Sequence, residues 1–500
     1  VPQQDKGYLL VNVQLPDGAA LNRTEHVVNK VSDLAREIGG VAHTVGIAGQ
    51  SILLNANAPS YGSMYVMLEP FDERLNPDRS ADAIAEHLTK VCREGVSDGV
   101  VSVFGAPPID GLGVTAGFRM MVEDKRNVGT ATLERVAKEI VGKANDSPEL
   151  TGVFCGLSAN SPWIYLDIDR AKCEALGVAT NDVFSTLQVN LGSYYVNNFN
   201  EFGRSWQVNV MADADYRNRV RDVLQLQVRN KRLEMVPLGT LVSIREISGP
   251  VVLRRYNMYP AAAINGQNVK GISSGQAVKV MERVAEDELP SSMTYAWTEL
   301  TYMQLKAGNT AIFVFGMSVL FVFLVLAALY ESWLLPLAVI LVVPMCLLCS
   351  VIGVQAENLD VNIFTQIGFV VLVGLASKNA ILIVEFARQA QSEGAGRREA
   401  TLDACRLRLR PILMTSFAFI LGVVPLMLAT GAGAEMRYTL GTSVFAGMLG
   451  VTLFGIFLTP VFYYVIMAFR REKKDEVETP QKKNASEKAD ATGDETQATD

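Results

Sequence analysis

Residues 362–388 read NIFTQIGFVVLVGLASKNAILIVEFAR, an apolar run with one lysine inside it. It is long and apolar enough to cross a bilayer as a helix, because about 20 apolar residues span the hydrocarbon core. Lys378 lies near its middle, where a charged side chain costs at least about 2.5 kcal/mol to insert. Lys378 is therefore the first candidate functional residue. The alternative is that it snorkels to the interface or pins two helices together.

The apolar residues are concentrated in the C-terminal part of the 500-residue chain. Long apolar segments occur at about 311–329, 333–354, 363–387, 411–430 and 439–468. Residues 1–306 have ordinary globular composition, and the residues from 470 onward are rich in Lys, Glu, Asp and Thr, which is typical of disorder. The sequence therefore predicts an α+β body, five membrane-spanning helices and a disordered tail.

Basic residues set the expected orientation. They are concentrated between the third and fourth spans and after the last one, at Arg388, Arg397, Arg398, Arg406, Arg408, Arg410, Arg470, Arg471, Lys473 and Lys474. By the positive-inside rule both regions are cytoplasmic, which places residues 1–306 outside the cytoplasm. An exported N-terminal domain needs a signal, and the chain begins VPQQDKGYLL. We therefore expect the chain to be the C-terminal part of a longer polypeptide.

The globular part shows a repeated pattern. Residues 7–105 predict the order β-α-β-β-α-β, a split βαβ or ferredoxin-like unit. A second such unit starts near residue 115 and is interrupted by 162–249, in which GSYYVNNFNEFGR suits an extended hairpin or loop. In the predicted loop QSILLNANAPS at 50–60, the apolar side chains either tuck into the domain or face an apolar ligand.

Other functional classes have no motif in this sequence. The six cysteines form no disulfide framework, and Cys346 and Cys349 lie in an apolar span, where a packing role is favoured. No His, Cys and carboxylate cluster has metal-ligand spacing, and no P-loop or nucleophile-base arrangement occurs. We expect no cofactor, no enzymatic activity and no nucleic-acid partner.

Several motifs resemble one family. YESW at 330–333, GLASKNAILIVEFA at 374–387 and RLRPILMTSFAFILGVVPL at 408–426 resemble the hydrophobe/amphiphile efflux permeases (Acr/Mex type) of the resistance-nodulation-division (RND) superfamily. PQQDKGYLLVNVQLPDGA at 2–19, the GSYYVNNFNEFGR segment and VVLRRYN at 251–257 extend the similarity over about residues 1–470. The resemblance implies the second half of such a permease.

The resemblance also implies domain identities. It assigns a periplasmic porter subdomain to 1–107, a second porter subdomain to 108–161 and 250–306, an inserted docking subdomain to 162–249, a five-helix membrane domain to 307–469 and a cytoplasmic tail to 470–500. The implied protein is a homotrimeric drug:proton antiporter of the inner membrane in a Gram-negative bacterium. Its implied partners are a periplasmic adaptor, an outer-membrane channel and amphiphilic small-molecule substrates.

Site residues follow from the same resemblance. Lys378, Arg408 and Thr415 match the proton relay of such pumps, in which the lysine pairs with two intramembrane Asp residues of span four, in the missing N-terminal half. No Asp lies inside any of the five apolar segments here. Ile52, Leu54, Tyr65 and Phe104 match the substrate-binding cleft. From the residues alone, Arg408 could equally be one more positive-inside residue.

Two alternatives are open at this point. A heavy-metal exporter of the same superfamily would use methionine thioethers for soft ions, and Met64, Met67, Met120 and Met121 are candidates. The other alternative is a non-transporting membrane scaffold or binding module, for the chain taken by itself.

Overall fold

The computed structural model describes residues 2–269, 271–308 and 310–468. They form two compact units, one of Gln3–Lys306 with Thr430–Gly433 and the other of Ala307–Ala429 with the described residues from Ala434 onward. The first unit is mixed α/β and the second is helical. The tail predicted to be disordered, 470–500, lies outside the described residues.

The first sheet follows the predicted order of elements. These are β1 (Tyr8–Gln14), α1 (Leu21–Arg36), β2 (Val41–Ser51), β3 (Ala56–Leu68), a 3-10 turn (Pro77–Arg79), α2 (Ala81–Gly95) and β4 (Val100–Gly105). The strands are antiparallel in the order β2-β3-β1-β4. α2 begins where the Oγ of Ser80 accepts the N–H of Ala83, and Ile84, Leu88 and Cys92 form its buried stripe at four-residue spacing.

The hairpin β2–β3 replaces the loop predicted at 50–60. β3 begins at Ala56, and only four residues, 52–55, form the turn. Asn55 has a φ of +46° there, and its N–H bonds to the carbonyl of Ile52 at 3.2 Å. Residues 56–60 alternate between buried and exposed, as a strand requires. The prediction of a loop at 56–60 is therefore wrong.

The second sheet is interrupted by an insertion. It begins with β5 (Phe118–Asp124), α3 (Thr130–Asn145) and β6 (Leu150–Cys155). The insertion contains β7 (Ser161–Ile168), α4 (Arg170–Ala175), α5 (Thr180–Leu187), a π-turn (Gln188–Gly192), β8 (Tyr194–Glu201), β9 (Arg204–Val210), a 3-10 turn (Ala214–Tyr216), α6 (Val220–Gln225), β10 (Gln227–Arg229), β11 (Met235–Pro237), α7 (Leu238–Leu241) and β12 (Val242–Gly249). Its strands pair as β7 with β12, β8 with β9 and β10 with β11. The stretch predicted as a hairpin or loop is the hairpin β8–β9.

The chain then returns to the second sheet. It adds β13 (Arg254–Tyr256), β14 (Tyr259–Asn268), α8 (Ser274–Glu288) and β15 (Met293–Trp297). β5 pairs with both β14 and β15, and β6 pairs with the other edge of β14. The order β6-β14-β5-β15 therefore repeats the order β2-β3-β1-β4 of the first sheet. The α9 helix (Glu299–Ala307) follows.

The helical unit contains the five predicted spans. Its helices are α10 (Thr310–Tyr330), α11 (Leu335–Ile340), α12 (Val343–Ala356), α13 (Ile363–Ser392), α14 (Arg397–Met427), α15 (Ala434–Gly450), a π-turn (Val451–Gly455) and α16 (Ile456–Ala468). In the described residues five helical segments are long and apolar enough to cross a membrane. α11 with α12 forms the second, and α15 with α16 the fifth. Pro336 and Pro344 lie in the first turns of α11 and α12, where proline removes no helical hydrogen bond.

Small residues allow α12 and α15 to approach closely. A Cβ added to Gly353 would lie 2.2 Å from the Cβ of Ala446, and one added to Gly450 would lie 2.4 Å from the Cβ of Cys349. All six cysteines are free thiols. Cys349 lies in this contact and Cys346 is fully buried beside it in α12, so the predicted packing role of the pair is confirmed.

Candidate functional site

The seam between α13 and α14 carries the candidate relay residues. The helices run antiparallel, and two contacts fix their register. Nδ2 of Asn379 donates a hydrogen bond to Oγ of Ser416 at 3.0 Å, and the guanidinium carbon of Arg408 lies 3.4 Å from the ring centroid of Phe386. Asn379 and Ser416 are buried, so the seam is closed at this level by a polar contact.

Lys378 lies beside this contact on the exposed side of the seam. Its Nζ is 4.9 Å from the ring centroid of Phe419, which is within the range of a cation–π interaction. Within residues 2–269, 271–308 and 310–468, no carboxylate forms an ion pair with Lys378. The helical unit therefore presents a cation at mid-span with an aromatic neighbour and without an anionic one.

Thr415 lies at the level of Lys378. It precedes Ser416, the partner of Asn379, and its Oγ1 donates to the carbonyl of Ile412 at 3.1 Å. Arg408 lies seven residues earlier on α14, or about 10 Å along the axis at 1.5 Å per residue. The structure thus brings Lys378 and Thr415 to one level and leaves Arg408 nearly two turns away.

Arg408 has its own environment. Its side chain is half-buried against Phe386, and its Nε is buried with no hydrogen-bond partner among the described residues. A guanidinium that is stacked and incompletely hydrogen-bonded differs from a freely solvated positive-inside residue. Its role as a relay residue stays a prediction.

Four residues of the seam were not identified from the sequence. They are Asn379, Phe386, Ser416 and Phe419. Asn379 follows Lys378 directly, and an amide in an apolar span was the available signal. Phe419 carried no signal, because a phenylalanine in an apolar span is indistinguishable from a lipid-facing residue until the helix register is known.

Two of the four predicted substrate residues lie together on the first sheet. Tyr65 in β3 and Phe104 in β4 both pair with Leu10 of the central strand, so they share one face. Tyr65 is half-buried and meets the ring of Tyr8 edge-on at 6.0 Å. Phe104 is 1% exposed and packs against Phe154 with the ring centroids 5.6 Å apart.

The other two predicted substrate residues lie in the turn of the β2–β3 hairpin. Ile52 is half-buried, whereas Leu54 is buried and packs beside Tyr61 and Gly156. The cavity there has a volume of about 20 Å³. That is room for about one water, whereas small-molecule pockets have about 300–1,000 Å³.

The hairpin turn thus packs into the domain, as the first sequence alternative describes. Leu54 and Phe104 are both buried in this structure, at 6% and 1% exposure. Their role in binding, like that of Ile52 and Tyr65, stays a prediction.

Comparison with known proteins gives consistent matches. The profile of the AcrB/AcrD/AcrF family matches residues 1–467. Multidrug export protein AcrF of Escherichia coli (strain K12) is 38% identical over 470 residues, which are 93% of this chain and 45% of AcrF. Toluene efflux pump membrane transporter TtgB of Pseudomonas putida is 37% identical over 478 residues, which are 95% of this chain and 45% of TtgB. Multidrug resistance protein MdtF of Escherichia coli (strain K12) is 36% identical over 479 residues, which are 95% of this chain and 46% of MdtF. The chain spans about half the length of these curated relatives.

Proposed function

The chain belongs to the AcrB/AcrD/AcrF family of RND multidrug efflux permeases, and from this premise we propose that it is the C-terminal half of a proton-driven exporter. The exporter takes amphiphilic or hydrophobic compounds from the periplasm or the outer leaflet of the inner membrane. It is a secondary active transporter that exchanges drug for protons. The printed names of AcrF and TtgB, a multidrug exporter and a toluene efflux pump, support this substrate class.

The observation that carries this proposal is the position of Lys378. It lies in the middle of a span, is exposed at the surface of the helical unit and has no carboxylate partner among the described residues. A lysine at this depth is unfavourable in lipid and needs an anionic neighbour. We propose that the neighbour is a pair of Asp residues in a span of the other half of the permease, which packs against the α13–α14 seam.

Proton coupling then follows from charge. An intramembrane ammonium is stabilised by an ionised carboxylate, and protonating that carboxylate removes the attraction. Each proton that enters would release Lys378 from its partner and shift the packing of the surrounding helices. Thr415, at the same level, would contribute a hydroxyl to the relay. Arg408 would act nearer the cytoplasmic end of the seam.

The α/β unit fits the export path. Four strands of the second sheet, in the order β6-β14-β5-β15, repeat the strand order of the first sheet, and we propose that both sheets belong to ferredoxin-like porter subdomains in the periplasm. The insertion at 162–249 would be the docking subdomain. The assembled pump would be a homotrimer in the inner membrane that works with a periplasmic adaptor and an outer-membrane channel.

The heavy-metal alternative is not favoured. Met64, Met120 and Met121 are at most 4% exposed, and Met64 and Met120 belong to the cores of the two sheets. Buried thioethers that fill a core are not available to an ion in transit. Met67 is exposed at 40%, but a single thioether is a weak site for a soft metal ion.

Dye export tests the proposal. The full-length permease that carries this sequence is produced in cells without their own pumps, and accumulation of a fluorescent amphiphilic dye is measured. We expect Lys378→Met to abolish export at equal expression, because methionine keeps an unbranched side chain of nearly the same length and removes its charge. Arg410→Ala, which removes an exposed cation from the same helix α14, is the matched control and should export normally.

Each outcome decides between functions. Normal export by Lys378→Met would refute the coupling role. Absence of dye export by the unmodified full-length protein, at normal expression and membrane insertion, would favour the scaffold alternative. Export by residues 1–500 alone would show that no second half with acidic residues is needed.

A further inference from the structure

The ring of Phe419 lies against the ammonium of Lys378 across the α13–α14 seam. The distance of 4.9 Å from Nζ to the ring centroid is within the limit of about 6 Å for cation–π attraction. Phe419 is 40% exposed and Lys378 is also exposed. Because neither side chain is enclosed by neighbours, packing does not force the contact. Attraction between the cation and the ring face accounts for it.

A second contact of the same kind lies farther along the seam. Arg408 of α14 stacks on Phe386 of α13, whereas Lys378 of α13 stacks on Phe419 of α14. Each charged relay candidate therefore rests on a phenylalanine of the opposite helix. Cation–π attraction strengthens when water is excluded, as it is at mid-membrane depth.

The polar residues next to Lys378 do not bind its ammonium in place of the Phe419 ring. In the described residues, Lys378 donates no hydrogen bond to Asn379 or Thr415. The amide nitrogen of Asn379 is directed to Ser416, and the hydroxyl of Thr415 donates within its own helix. Phe419 is thus the side chain across the seam that the structure places against the ammonium.

We propose that Phe419 is a positioning residue for Lys378, and this proposal rests on the proposed function. The ring of Phe419 holds the ammonium of Lys378 at mid-membrane depth whenever no ionised carboxylate is available. An uncompensated ammonium in hydrocarbon is strongly unfavourable, and a ring face stabilises it without exchanging a proton. A carboxylate that loses its proton attracts the ammonium more strongly than the ring does, because it carries a full charge. Lys378 would then alternate between the ring and the carboxylate.

Three replacements in the full-length permease test this, with dye export as the measurement. Phe419→Leu keeps an apolar side chain and removes the ring, and we expect export about 5- to 30-fold slower, which is the effect of losing a partly to fully desolvated cation–π contact. Phe419→Trp should restore most of the rate, because indole is the strongest cation–π partner. Phe417→Leu is the matched control: Phe417 is 53% exposed on the same helix, and its loss should leave export within about twofold, because in the described residues the ring against Lys378 is that of Phe419.

Pentafluorophenylalanine at position 419 separates shape from charge. It keeps the size of the ring and reverses its quadrupole, so it should slow export as much as Phe419→Leu does, even if leucine impairs folding. Normal export with the fluorinated ring would overturn the proposal. So would equal losses in Phe419→Leu and Phe417→Leu, because the ring would then act only through packing.

The proposed function can fail separately. If Lys378→Met exports normally, the coupling role of the lysine fails whatever the Phe419 variants do. If Lys378→Met abolishes export while Phe419→Leu and the fluorinated ring both export normally, only the positioning role of Phe419 is wrong.

Discussion

Replacing Gly353 by alanine should destabilise the helical unit by forcing α12 away from α15. The added Cβ would lie 2.2 Å from the Cβ of Ala446, whereas non-bonded carbons prefer about 3.5–4.0 Å. The helices must separate by roughly 1.3 Å or more to restore that distance. Overpacking of this kind costs about 1–3 kcal/mol.

The separation would also affect a neighbouring hydrogen bond. Oγ of Ser350, one turn before Gly353, donates to the carbonyl of Ser443 on α15 at 2.7 Å. Such interhelical bonds in membranes contribute about 0.6 kcal/mol on average. The greater helix propensity of alanine opposes these losses by up to about 1 kcal/mol. We expect Gly353→Ala to lower the free energy of unfolding by about 1–3 kcal/mol.

A second substitution should restore the lost stability. With Ala446→Gly in the same protein, the nearest heavy atom to the new methyl group is the Cα at position 446, at 3.7 Å, which is ordinary contact. In a detergent titration of the purified permease, the free energy of unfolding of the double variant Gly353→Ala/Ala446→Gly should therefore be close to that of the unmodified protein. Gly374→Ala is the control, because a methyl group there meets nothing within 4 Å. Stability unchanged by Gly353→Ala, or no recovery in the double variant, would refute the packing argument.

Three further outcomes are expected. Phe104→Ala should lower the free energy of unfolding of the α/β unit by about 3–5 kcal/mol, because it empties a buried site; unchanged stability in a urea titration would show that the ring is not core. Arg119→Met should lower the midpoint of thermal unfolding, because it removes the 2.6 Å ion pair to Glu299. Glu299 has a φ of +56°, which glycine adopts more easily. Adding Glu299→Gly should therefore recover part of the loss, and further destabilisation would contradict this. The N–H of Lys172 donates to Asp169 and holds the pKa of that carboxyl below its usual range. The contribution of this bond to stability is then present above about pH 3.9 and lost as pH falls through the lower folded pKa. The protection of the Lys172 amide from hydrogen exchange, relative to an unfolded chain at the same pH, should fall there, and constant protection would exclude the effect.

Much of the fold could be predicted because its patterns are local. The five spans follow from length and hydropathy, and the β-α-β-β-α-β order follows from alternation and helical periodicity. The start of β3 was missed because residues 56–60, ANAPS, combine alanine, asparagine and proline, which are typical of loops. Ala56 and Ala58 are buried and the residues between and after them are exposed, which is the alternation of a strand. Small side chains carry too little hydrophobic contrast to reveal this from sequence.

The site was harder to predict, because it depends on the register between helices. Lys378 could be identified by itself, since a charge in an apolar span is unusual. Its neighbour Phe419 is 41 positions away, and only the antiparallel pairing that brings Asn379 to Ser416 places the two together. The burial of Phe104 likewise depends on Phe154, which belongs to the second sheet. No spacing within either segment indicates that contact.

The two faces of α13 differ in how they pack against their neighbouring helices. On the α15 side, glycines leave room for side chains of the facing helix. A Cβ on Gly447 would lie 2.3 Å from Leu372, and one on Gly368 would lie 2.5 Å from Ser443. Sliding along this face would bring larger side chains into the same space, so α13 and α15 should move together. On the α14 side, the Asn379–Ser416 hydrogen bond and the Lys378–Phe419 contact lie beside an apolar cluster that contains Ile420 of α14 and Ala376 of α13. Under the proposed proton coupling, a change of charge at Lys378 would therefore act on the packing between α13 and α14 first.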